Sequence, residues 1–326
     1  MPELPEVETV RAGLSRLIVG KRIQAVTSDT PKSFPNAEAD VKQFLVGAEI
    51  LAVKRRAKVL IIDLSNEYSL IIHLKMTGQL VFQGKSLSFQ RRLESNTISV
   101  ADGHSKSDWI PDQVRDDSGE DVGVRWGAGH PSDSLINPLP DKSTRVFFDF
   151  TDGSKLFFND QRKFGWVRLL PTIEIPNLDF FKKVGPEPLS DDFTWQIMKE
   201  RLQRRKGTNI KAALLDQTVV AGVGNIYADE SLWGAKIHPT TIVAKLTDKN
   251  FKDLHKALRD VLQLSIDKGG SSNHTYVDAE GKKGSYMTFA NVFRREGLPC
   301  PRCGTIIIKT RVAGRGTHLC PHCQKH

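Results

Sequence analysis

Cysteine is scarce in this chain of 326 residues, and all four copies fall at or after Cys300. A disulfide-stapled secreted scaffold would carry cysteines through its length, so that class is excluded. Long hydrophobic runs are also missing: no stretch reaches the roughly 20 apolar residues that a membrane span requires. The N-terminus shows no basic-then-apolar signal sequence. A soluble cytoplasmic protein without a membrane partner is therefore expected. Acidic residues are the third shortage, with 38 Asp and Glu against 47 Lys and Arg and a formal net charge of +9. An excess of that sign points to a polyanionic partner, nucleic acid before a lipid surface.

The positive charge is unevenly spread. From Gly281 to His326 there are nine Lys or Arg and one acidic residue, Glu296. Residues 84–140 run the other way, with six basic and nine acidic residues, and are rich in Asp, Ser and Gly without a clear period. This segment reads as an atypical surface insertion between two paired strands, foreign to the basic function.

Around it, "KRIQAVTS", "EILAVKRR", "KVLIIDLS", "SLIIHLKM", "TRVFFDFT" and "KLFFND" are short apolar runs separated by turn signals. Their close spacing predicts an antiparallel sandwich rather than βαβ units. Ahead of them, Val7, Val10, Leu14, Leu17 and Ile18 recur at helical spacing, and Pro5 with Glu6 and Glu8 suits the first turn of a helix over 5–18. That helix leaves Pro2 and Glu3 unexplained. After a Pro-rich hinge at 184–191, "FTWQIMKERLQRR", "NIKAALLDQ", "NIYADESLWGA" and "NFKDLHKALRDVLQLSI" carry helical periodicity. The expected class is α+β: an N-terminal antiparallel β-sandwich with its helix (1–183), a helical domain (192–290) and a C-terminal appendage (291–326).

The appendage holds the strongest single motif. Cys300 and Cys303 are followed, after sixteen residues, by Cys320 and Cys323. Two CxxC knuckles at this spacing match one structural Zn2+ held by four thiolates, with no open position for chemistry. The residues between alternate as a β-hairpin turning at Ala313-Gly314 and presenting Lys309, Arg311 and Arg315.

Seven collinear blocks now become recognisable: "MPELPEVETV", "RRAKVLII", "IIHLKMTGQL", "DQRKFGW", "GPEPLSDDF", "LLDQTVVAGVGNIYADESLW" and "CPRCG…GRGTHLCPHCQ". Together they resemble bacterial formamidopyrimidine-DNA glycosylases over essentially the whole chain except 84–140. The resemblance implies a β-sandwich, a helix–two-turn–helix domain and a zinc-finger hairpin around a DNA cleft. It also implies excision of oxidised purines such as 8-oxoguanine and formamidopyrimidines, then β,δ-elimination at the abasic site, by a monomer acting on duplex DNA at the bacterial nucleoid.

Residue by residue, the resemblance makes Pro2 the nucleophile once Met1 is removed. A terminal secondary amine titrates near 8, so part of it is neutral at physiological pH. Glu3 corresponds to the acid/base carboxylate, whereas Glu6 fits either an acid role or a helix-start role. Lys58 corresponds to a phosphate-contacting proton donor, and Arg315 to the finger arginine that binds phosphates beside the lesion. Met76, Arg162 and Phe164 correspond to the side chains that fill the hole left by an extruded base. His73 is a phosphate contact by the same reading, Lys206 and Lys211 face DNA, and residues 271–286 form a loop over the everted base. The glycine turn before Asn225 offers N–H groups and a side-chain donor to phosphate. One departure is Ser143, where the family often has histidine, which puts a DNA contact in doubt.

Two other readings fit parts of the chain. An endonuclease VIII-like enzyme for oxidised pyrimidines shares the terminal proline, but "MPELPE" and the Met76/Arg162/Phe164 set favour the purine enzyme. A catalytically inactive zinc-finger DNA-binding protein is opposed by the presence of Pro2, Glu3 and Lys58 together.

Overall fold

In a computed structural model of the chain, the structure describes residues 2–84, 114–115, 121–122, 125–130, 133–135, 137–271 and 286–326. Two antiparallel sheets face each other. The strands are β1 (Ile23–Ser28), β2 (Ile50–Arg56), β3 (Val59–Leu64), β4 (Tyr68–His73), β5 (Gly78–Gln83), β8 (Arg125–Gly129), β9 (Thr144–Phe150), β10 (Lys155–Asp160) and β11 (Trp166–Pro171). One sheet has the order β1-β9-β10-β5-β8 and the other β11-β4-β3-β2, while β6 (Val114–Arg115) and β7 (Asp121–Val122) form a separate short ribbon. Alternation along the strands turns Leu80, Phe148 and Phe158 of the first sheet toward Leu60, Ile62 and Ile72 of the second, in one buried cluster.

Helix α1 (Leu4–Ile18) closes this core with Val7, Val10, Leu14, Leu17 and Ile18, the stripe expected from the sequence, all of them buried. Its Gly13 lies flat against the Trp126 ring, where an added Cβ would come within 2.2 Å of a ring carbon. Trp126 belongs to β8, which pairs with β5 from Gln79↔Gly129 to Gln83↔Arg125. The segment 84–140 is therefore not wholly a surface insertion. Its residues 125–129 are a sheet strand, and two glycines in five residues hid the strand pattern. Most of residues 84–124 lie outside the described residues.

The second core gathers α4 (Trp195–Gln203), α5 (Ile210–Leu215), α6 (Asn225–Gly234) and α7 (Asp248–Asp267) around Tyr227, Phe251 and Leu258. The shorter helices α2 (Glu38–Phe44) and α3 (Asp179–Lys183) lie earlier in the chain, and α8 (Tyr286–Phe289) follows α7. The stretch expected to be a hinge is bonded on both sides. Gly185 N–H donates to Gln217 O at 2.8 Å, and Glu187 accepts from Arg55 at 2.8 Å, Arg56 at 2.9 Å and Ala57 N–H at 2.6 Å. The hairpin β12 (Ile308–Val312) and β13 (Arg315–Leu319) turns at Ala313 and Gly314, both at positive φ, as its sequence predicts. No helix among the described residues is long and apolar enough to cross a membrane.

Candidate active site and nucleic-acid interface

The start of α1 is held against the turn that precedes α6. Leu4 N–H donates to Gly222 O at 3.0 Å, and Ile226 N–H donates to Glu3 Oε1 at 3.2 Å. Glycines make the approach possible: a Cβ on Gly224 would stand 2.2 Å from the Glu3 carboxyl carbon, and one on Gly222 would stand 2.6 Å from Leu4 Cβ. The glycine turn thus receives the N-terminus, and one N–H expected to face phosphate is already used by Glu3. Glu6 completes the grip, accepting from Glu3 N–H at 2.7 Å, Tyr227 Oη at 2.6 Å and Ser271 N–H at 2.9 Å.

Glu3 is 5 % exposed. Burial raises its carboxyl from the ordinary range to about 7, against the pull of Lys58 and with the push of Glu6. It is half protonated near neutrality, which suits a group that must give and take a proton. Lys58 stands at the turn between β2 and β3, 6 % exposed, and its Nζ donates to Val223 O at 3.0 Å. Burial lowers its ammonium, while Glu3 and Glu6 work the other way and Arg315 adds to the lowering.

Pro2, Glu3 and Glu6 line a cavity of about 340 Å³, and Met76, Arg162 and Asn225 close it from other elements. Met76 is 43 % exposed and Phe164 47 % exposed, high values for apolar side chains at ordered turns. Arg162 joins them, its Nη1 3.6 Å from Met76 Sδ and its guanidinium 4.9 Å from the Phe164 ring centre. Asp160, fully buried, fixes both turns. It accepts from the Thr77 hydroxyl, from Phe164 N–H at 2.8 Å and from Gly165 N–H at 2.6 Å. Sequence reasoning passed over Asp160, although it stands inside the "NDQRKFG" block.

Other expected residues take different places. Asn225 lines the cavity and donates to Gly316 O at 3.0 Å, tying α6 to the hairpin turn beside the exposed Arg315. His73 is half-buried beside Trp166, and burial pushes its imidazole down to about 3, so the ring is neutral at physiological pH. Lys206 is exposed on the turn after α4. Lys211 does not face DNA: it is fully buried, with Nζ 2.6 Å from Asp229, 2.7 Å from Thr317 Oγ1 and 3.0 Å from Gly316 O. Three acceptors, one of them charged, make that burial tolerable and dock the hairpin on α5 and α6. Ser143 is buried too, its hydroxyl bonded to Asp141 at 2.7 Å and to Ser134 at 2.9 Å, so it offers DNA nothing. Of the loop expected at 271–286, only Ser271 and Tyr286 are among the described residues.

The four cysteine sulfurs lie within 4.8 Å of one another. Thiolates about 2.3 Å from a shared tetrahedral centre stand about 3.8 Å apart, so the set fits zinc. Trp233 of α6 donates its indole N–H to Cys300 Sγ at 3.4 Å, which orients one ligand from outside the finger.

Comparison with known proteins agrees along the chain. Residues 1–167 match the formamidopyrimidine-DNA glycosylase N-terminal domain, 184–277 its H2TH domain, and 297–325 a zinc finger found in FPG and IleRS. A formamidopyrimidine-DNA glycosylase of Pelotomaculum thermopropionicum is 37 % identical over 326 residues, covering 100 % of this chain and 99 % of its own. One from Streptococcus pyogenes serotype M6 is 39 % identical over 328 residues, again covering 100 % of this chain and 99 % of its own. Among solved structures, Lactococcus lactis Fpg with abasic-site DNA gives a TM-score of 0.77 at 32 % identity, covering 99 % of this chain and 100 % of that one. MutM with DNA containing carbocyclic 8-oxo-G gives 0.76 at 33 % identity, with both chains fully covered.

Proposed function

Because this chain belongs to the formamidopyrimidine-DNA glycosylase family, we propose that its cavity receives a damaged nucleotide turned out of duplex DNA, with Pro2 as the nucleophile. The protein is a DNA glycosylase for oxidised purines and an abasic-site lyase, acts on DNA carrying such lesions, and carries one structural zinc. Residue roles, monomeric action and a cytoplasmic place at the nucleoid are our reading. The observation that carries it is one cavity shared by Pro2 and Glu3 with Met76 and Arg162.

The amine of Pro2, freed when Met1 is removed, attacks C1′ as the bond from C1′ to the base breaks, and the electron pair leaves with the base. Glu3 supplies the proton that opens the sugar ring at its oxygen, and a charged iminium remains because the amine is secondary. Loss of the C2′ proton expels the 3′ phosphate, loss of the C4′ proton expels the 5′ phosphate, and water returns the free amine. Lys58 donates protons during elimination, while Arg315 steadies the phosphates. Met76, Arg162 and Phe164 occupy the space the base vacates.

Comparing excision of 8-oxoguanine opposite cytosine with excision of thymine glycol tests the substrate class. Preference for the purine, lost in Pro2→Gly while binding to abasic DNA persists, is the expected result. Preference for thymine glycol would move the chain to the endonuclease VIII type.

A further inference from the structure

One wall of the cavity comes from the segment whose composition set it apart from DNA binding. His130 follows β8 directly and lines the cavity with Pro2, Glu3, Met76 and Arg162. Its backbone is fixed: N–H donates to Gly78 O at 3.2 Å, and the carbonyl accepts from Gln79 Nε2. Gly129, just before it, has φ of +131°, and a Cβ there would meet Gly78 O at 2.4 Å, so only glycine allows this close crossing. Beyond it, Ser134 is buried and bonds Ser143 at 2.9 Å and Asp141 at 2.5 Å, while Arg125 holds the carbonyls of Ser134 and Asn137 at 2.9 and 2.6 Å. The chain is therefore pinned before His130 and again at Ser134, and His130 itself stays half-exposed.

An imidazole keeps at least one N–H donor in either protonation state. A sugar brought to Pro2 carries its two phosphates with it, so the wall beside Pro2 faces oxygens that can only accept. We infer that His130 is a DNA-contact residue, donating a ring N–H to a phosphate oxygen beside the everted nucleotide. This rests on the reading of the cavity as the DNA site. It gives Ser143 a purpose as well: the buried serine anchors Ser134, four residues beyond His130.

The test uses the full zinc-loaded protein and a duplex carrying a tetrahydrofuran abasic analogue, with an undamaged duplex alongside and affinity read by fluorescence anisotropy. His130→Ala should weaken binding to the abasic duplex about tenfold, as expected for one hydrogen bond to a charged oxygen. His130→Gln, which keeps an N–H donor, should recover most of that loss, with the thermal midpoint of both variants unchanged. Binding by His130→Ala as tight as wild type overturns the inference, and so does His130→Gln binding as weakly as alanine. Failure of the wild type to prefer the abasic duplex over the undamaged one would instead sink the reading of the cavity.

Discussion

Two groups of side chains at and around the cavity are built in opposite ways. Glu3 and Lys58 are buried and held by bonds to α6 and the turn before it. Met76, Arg162 and Phe164 stand out from their turns, whose backbone is fixed at the root through Asp160. Groups that make and break bonds gain from burial, which shifts their proton affinities toward neutrality. Groups that displace a base have to be exposed, since their partner is absent until DNA arrives. Under the proposed roles, burial goes with the proton-transfer groups Glu3 and Lys58, and exposure with the groups that work on the duplex.

The buried half should show the largest effect when broken. Glu3→Gln keeps the shape and removes the proton, so base excision should fall about 10²- to 10⁴-fold in single-turnover assays. Its proton is held below about 7 and lost above it, so wild-type excision should decline as pH rises through that value and the variant should lack that limb. Stability should move the same way. The unfolded carboxyl ionises near 4.5 and the folded one near 7, so the folded state loses stability between these values as pH rises. Denaturant titrations across that window would show the slope flattened in Glu3→Gln.

Breaking the root of the exposed half comes next. Asp160→Ala leaves buried donors in both turns unpaired and should cost about 3 kcal/mol of stability. Met76→Ala, with its root intact, should leave stability unchanged. It should slow excision from a fully paired duplex roughly tenfold, and less where the damaged base is already unpaired. Equal losses on both substrates would break the assignment of exposed groups to base displacement. Chelation of zinc should lower DNA affinity through loss of the β12–β13 hairpin fold, and retained affinity after verified metal removal would contradict that. The smallest effect belongs to Lys206→Ala, which should reduce the salt slope of DNA binding by about one without changing lesion preference.

Much of this arrangement is legible in the sequence. The α1 stripe, six of the sandwich strands, the four main helices and the zinc knuckles rest on local periodicity and spacing, and the structure has them where those signals stand. What was not legible depends on distant partners. Nothing near Arg55 and Arg56 in sequence announces Glu187, 132 residues from Arg55, which takes both of them. Lys211 looks like a DNA contact until Asp229 and Thr317 enclose it. Residues 125–129 lacked strand character because glycine at 127 and 129 serves close packing on Leu135 and Gly78. His130 was hidden with them.

Borohydride trapping on an 8-oxoguanine duplex, followed by mass mapping of the adduct, tests the central claim most directly. Protein with Met1 verifiably removed should give a covalent adduct on the Pro2 peptide. No adduct, or an adduct mapped to a lysine such as Lys58, would contradict the account.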